Sequence, residues 1–167
     1  MTSVEPSPTT SSRAPEPTNP SRPPAADDAA LFDAIATEHA IIYGYGLVSA
    51  HATPDLNDLV STSLAGHRAR REAAIAMLGT HSVSAPLPAA GYQLPMQVVN
   101  PTDAANLAVS MEQDAAVAWR AVLEQATKND DRAFAVTALT QSAVAAARWS
   151  RVLQLSPITV AFPGGSE

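Results

Sequence analysis

The chain has 167 residues, a net charge of −6 at pH 7 and no cysteine. That length suffices for one domain with a real core, and the missing cysteine excludes disulfides and thiolate metal sites. The acidic balance speaks against nucleic-acid or anionic-membrane partners, and no apolar run approaches the roughly 20 residues of a membrane span.

Residues 1–26 are Pro, Ser, Thr and Ala with scattered charges, and seven of the chain's 14 prolines fall in the first 24 positions. Proline withdraws backbone donors and Ser and Thr bury little, so nothing here offsets the entropy of ordering. A disordered tail is expected. No basic stretch followed by an apolar one marks a secretory leader, and a cytoplasmic location is expected.

A first helix is predicted over 27–50, with Asp27 and Asp28 suiting its N-terminal turn. Leu31, Ile35, Glu38, Ile42 and Tyr45 recur at steps of three and four, which puts them on one face. The middle residue is a carboxylate. On an apolar stripe it costs roughly several kcal/mol unless a metal, a basic side chain or a proton compensates it. Gly44 and Gly46 each cost roughly 1 kcal/mol inside a helix, which makes sense where another helix packs very close.

A second helix is predicted over 54–78, with Thr53 as N-cap, Pro54 at its first position and Gly79 as its stop. Its stripe is Leu56, Val60, Leu64, His67, Arg71, Ala74 and Leu78. His67 and Arg71 therefore face inward, while Arg68 and Arg70 are expected to face solvent or a partner subunit. Residues 80–100, with Pro86, Pro88, Gly91 and Pro95, have no helical pattern. Extended, such a stretch reaches roughly 70 Å, against about 37 Å for a 25-residue helix. It can run the full length of a bundle.

A third helix is predicted over 101–128, capped by Asn100, with Ala105, Ala108, Glu112, Ala115, Trp119 and Val122 on one face. A fourth follows over 130–155, with Phe134, Ala138, Gln141, Ala145, Arg148 or Trp149, and Val152 inward, and with Pro157 ending it. Residues 156–167 are expected to be a flexible tail, which leaves 27–155 as the folded domain. Short breaks within each pair imply antiparallel neighbours. The long connection implies a crossover that leaves the second and third helices parallel.

The two pairs echo each other. His67 follows Glu38 by 29 residues and Gln141 follows Glu112 by 29; Tyr45 and Trp119 each stand seven after their acid. Two half-bundles related by a pseudo-twofold would bring Glu38, His67, Glu112 and Gln141 to one level.

The motifs Glu38-His39, Tyr43, Tyr45-Gly46 on the first helix and His67-Arg68, Arg70-Arg71 on the second resemble an Ala-rich bacterial branch, of unassigned function, within the ferritin-like superfamily. The resemblance covers about 27–155. It implies an all-α, ferritin-like four-helix bundle with a long crossover between helices 2 and 3. Di-iron members of that superfamily place one Glu on each of two helices and Glu-x-x-His on each of the other two. Here Glu38, Glu112 and His67 match, but Leu64 and Ala138 stand where the paired Glu residues belong, and Gln141 stands where the second His belongs. A di-iron pair is not supported.

Two readings of the site follow. In the favoured one, Arg71 occupies the space of the metal and forms a buried polar network with Glu38, His67, Glu112 and Gln141, since a guanidinium stays charged and pairs bidentately with carboxylates. In the other, Glu38, His67 and Glu112 hold a mononuclear Fe or Mn ion, as a metal-binding protein or oxidase. His51 and His81, at helix ends, are expected to be solvated. No phosphate loop, serine elbow or Cys/His arrangement points to catalysis. The expected role is structural or binding, in a homodimer, with a small apolar ligand between the helices as a third possibility.

Overall fold

The structure is a computed structural model and describes residues 18–165. Four helices build it: α1 (Ala26–His51), α2 (Asn57–Thr80), α3 (Pro101–Gln125) and α4 (Asn129–Val152). No strand occurs among the described residues, and no helix there is long and apolar enough to cross a membrane.

Side-chain contacts set the helix directions. Glu38 meets Trp119 and Tyr45 meets Glu112, so α1 and α3 run antiparallel. Asp28 meets His81 and Glu38 meets His67, so α1 and α2 do as well. Hence α2 and α3 are parallel, and residues 81–100 carry the chain from one end of the bundle back to the other. The crossover is held against α1 at two points. His39, itself buried, donates from Nε2 to the Pro86 carbonyl at 3.2 Å, and burial lowers its pKa, which keeps the ring neutral. Tyr43 packs its ring on Tyr92, 5.4 Å between centroids.

Helix ends depart from the sequence expectations in physically readable ways. Asn100 caps α3 as expected, accepting from the Asp103 amide at 2.9 Å. Pro54–Leu56 forms a short 3-10 turn rather than the first turn of α2. α2 passes through Gly79 and ends where Ser82 takes a left-handed φ of 60°, with the Val83 amide returning to the Leu78 carbonyl. α3 stops at Gln125 and α4 at Val152, each three residues short of the predicted end. His81 is not solvated. Its side chain is 6% exposed and sits between Asp28, at 2.6 Å, and Asp131, at 3.2 Å, tying together the ends of α1, α2 and α4.

The expected disordered tail lies outside the described residues over 1–17. Within 18–25 the chain lies on the bundle: Arg22 forms a bidentate pair with Asp33 of α1, and Asn19 accepts from the Leu87 amide. At the other end, residues 155–164 fold back over α3 and α4. A Cβ on Gly164, whose φ is +75°, would stand 2.5 Å from the Ala116 carbonyl oxygen.

The core is alanine-rich, and the two glycines of α1 differ within it. A Cβ on Gly44 would overlap the Met111 sulfur of α3, whereas Gly46 has nothing within 4 Å. Close approach therefore explains Gly44 alone. Gly46→Ala should stabilise the fold by up to about 1 kcal/mol through helix propensity. Gly44→Leu should destabilise it by about 1–3 kcal/mol through overpacking against Met111. Urea denaturation of the two variants checks both signs.

Candidate functional site

Glu38 sits mid-way along α1 and Glu112 mid-way along α3, and both are 0% exposed. Each lies on its helix's inward stripe, so the periodicity that buries their apolar neighbours buries them too. Between them stands His67 of α2, whose Nδ1 is 2.7 Å from Glu38 Oε2 and whose Nε2 is 3.0 Å from Glu112 Oε1. Both ring nitrogens face carboxylate oxygens, so both carry protons and donate.

The acids are braced crosswise. Trp119, seven residues after Glu112, donates from Nε1 to Glu38 Oε1 at 2.7 Å. Tyr45, seven residues after Glu38, donates to Glu112 Oε1 at 2.6 Å. Each aromatic serves the acid of the other helix pair. Trp149 of α4 adds an outer layer, donating to the Tyr45 hydroxyl at 2.9 Å.

The guanidinium in the network is that of Arg70, not Arg71. Arg70 Nη1 donates to Glu38 Oε1 and to Ser142 Oγ, both at 3.0 Å, and Nη2 to Gln141 Oε1 at 3.3 Å. Arg71 instead turns outward to pair with its neighbour Glu72. The correction is one residue on a helix face. Steps of three and four from His67 both stay on its side of α2, and the one that points toward α4 enters the core. The same ambiguity recurs on α4, where Ser142 is buried and Gln141 is exposed. Thus Glu38, His67 and Glu112 come together as grouped in the sequence, Gln141 touches only the rim, and Arg71 is absent from the cluster. The sequence placed Arg70 outward and left Arg148 and Trp149 as alternatives, and it did not reveal Ser142 or the hydrogen bonds of Tyr45, Trp119 and Trp149.

Electrostatics follow from the geometry. Burial alone would lower the pKa of His67, but hydrogen bonds to Glu112 and Glu38 and their charges outweigh it and raise the value to about 9. For Glu38, burial pushes upward, while His67, Arg70 and Trp119 more than reverse it, so its pKa is lowered. The Tyr45 phenol is pushed up by burial and by the charge of Glu112. Two carboxylates thus face one imidazolium and one guanidinium, and the four formal charges cancel. Arg70 Nη1 also lies 3.4 Å from His67 Nδ1. Two protonated groups repel there, and Glu38 bridges them.

A mononuclear Fe or Mn site on Glu38, His67 and Glu112 requires three donors converging on one point. These two acids occupy opposite nitrogens of a single imidazole. Among the described residues no three His, Asp or Glu side chains converge to hold an ion. The donors do not fit a metal in this arrangement.

A cleft of about 340 Å³ opens between α2 and α4, and His67, Arg70 and Glu112 line it.

A family model described as a domain of unknown function, DUF4439, matches residues 30–167. The chain belongs to the DUF4439 family. Among solved structures, it is similar to the crystal structure of a conserved hypothetical protein, rv2844, from Mycobacterium tuberculosis. The identity is 60%, the match covers 78% of this chain and 98% of that one, and the TM-score is 0.76. Among curated proteins nothing matches. For this DUF4439 chain the family match takes in α2, α3, α4, all but the first four residues of α1, and every residue of the network.

Two outcomes are expected. Arg70→Ala leaves Glu38 buried with its charge undercompensated and should destabilise the fold by about 3–5 kcal/mol. Arg71→Ala should stay within about 0.5 kcal/mol. Chemical denaturation of both variants discriminates them. For pH, the folded pKa of His67 lies above the unfolded value of 6.5. Its stabilising contribution is therefore complete below about pH 6.5 and disappears as pH rises through about 9, a loss on the order of 3 kcal/mol. Glu38 has the opposite sign, losing its contribution on the acid side as pH falls through its lowered pKa. Urea midpoints measured between about pH 6 and 9.5 should fall steeply in the native chain and nearly flatten in His67→Gln.

Proposed function

We propose that this chain is a ferritin-like bundle whose metal centre has been replaced by a fixed, charge-neutral network, and that it acts in binding rather than in catalysis. The observation that carries this reading is the single imidazole holding Glu38 on one nitrogen and Glu112 on the other. Each carboxylate that would serve a metal already has two or three protein donors. Ferritin-like kinship is supported by the hairpin, crossover, hairpin order and by acids from the first and third helices meeting at one level. Residues 64 and 138 supply Leu and Ala where di-iron proteins supply Glu.

Binding is favoured because a cleft runs down to the buried network. A hydrogen-bonded core that served only to hold four helices together would gain from closure, whereas here α2 and α4 part over His67, Arg70 and Glu112.

The test is the metal content of protein purified without chelators, followed by titration with Fe(II) and Mn(II). Elemental analysis should find neither metal at stoichiometric level, and added metal should leave the melting temperature unchanged. Iron or manganese bound in proportion to chain, and lost in Glu38→Ala, would sink the reading.

A further inference from the structure

The two buried polar atoms of the network that lack a protein partner both belong to residues lining the α2–α4 cleft. Glu112 Oε1 takes donors from His67 and Tyr45, while Oε2 has none; Arg70 uses Nη1 and Nη2, while Nε has none. Glu112 is 0% exposed and Arg70 8%. A buried acceptor without a donor is costly, and more so when charged. A ligand that brings a donor there recovers that energy. The cleft walls are Thr62, Ser63 and Gly66 of α2 and Val144 and Ala145 of α4. Its volume, about 340 Å³, suits a molecule of a few carbons.

Charge decides what kind of donor. The floor is already neutral, with two acids against His67 and Arg70. An ammonium group would add an uncompensated buried cation, at high cost. A hydroxyl donates without charge. At the exposed rim the balance differs, because Arg148 lines the cleft and forms no ion pair among the described residues. A guanidinium placed there suits a carboxylate.

From this placement we infer that the α2–α4 cleft binds small hydroxylated carboxylates, hydroxyl inward to Glu112 Oε2 and carboxylate outward to Arg148. The inference rests on the binding role proposed above and names its ligand class.

Four probes with one carbon skeleton test it by NMR titration of the full chain: 3-hydroxybutyrate, 3-aminobutyrate, butyrate and butane-1,3-diol. The first should bind, moving the backbone amides of Ser63, Gly66, Val144 and Arg148. The other three, each lacking one recognised feature or adding a charge, should bind at least about tenfold more weakly, as loss of one charge-assisted hydrogen bond implies. Arg148→Gln should weaken 3-hydroxybutyrate by a similar factor. Val144→Trp, at a half-exposed position on the wall, should abolish binding. Both variants change no residue of the buried network, and their melting temperatures serve as the control for folding. Equal binding of all four probes, binding unaffected by either variant, or no binding at all overturns the inference. So does a change of oligomeric state in Val144→Trp, which would assign the cleft to a second copy of the chain. Metal analysis of the same sample separates the two levels. Stoichiometric iron or manganese defeats the function proposed above, whereas metal-free protein that ignores 3-hydroxybutyrate defeats only this ligand.

Discussion

His67 shares its two ring protons between acids that arrive from different helices, and the bundle is arranged around that shared pair. Glu38 and Glu112 are both fully buried, so neither could remain ionised on an apolar stripe alone. One imidazolium compensates half of the charge, and the Arg70 guanidinium compensates the rest. Because the four groups come from α1, α2 and α3, their attraction sets the height at which these helices meet. Removing any one partner leaves a charge stranded without water, so the group stands or falls as a unit.

The aromatic braces extend this logic. Tyr45 and Trp119 are core residues by size, yet each also spends its one polar hydrogen on an acid across the bundle. Packing and hydrogen bonding thereby specify the same register between α1 and α3. A helix slipped by one turn would lose the apolar fit and both hydrogen bonds at once. Such agreement between levels favours one arrangement over its near alternatives. The polar side chains of the core point at one another, and the positive charge that faces the two acids belongs to groups of the chain itself.

Much of this was legible in the residues. The period of three and four put Glu38 and Glu112 on inward faces, and the prolines of 80–100 marked a crossover long enough to leave α2 and α3 parallel. The seven-residue spacing of Tyr45 and Trp119 from their acids was visible, but that each serves the opposite acid depends on how two hairpins dock, which no local pattern encodes. Arg70 and Arg71 could not be separated from periodicity, since both lie within one turn of His67 on its side of the helix. Only the position of α4, with Ser142 and Gln141 as acceptors, decides between them. His81 was misplaced for a related reason. A histidine at a helix end reads as solvated until Asp28 and Asp131, from two other helices, close over it.

The parallel relation of α2 and α3 shapes how the chain must assemble. Each hairpin joins neighbours in sequence and forms through local contacts, whereas bringing the two together closes a long loop whose entropic cost comes before any reward. Until that moment Glu112 lies on one hairpin and its histidine partner on the other, and the acid remains hydrated. The step that expels the water is the step that forms the pair. Half-docked forms, dry but unpaired, are thereby the most costly species on the route. Drying the interface and pairing the charges are therefore coupled in a single docking event.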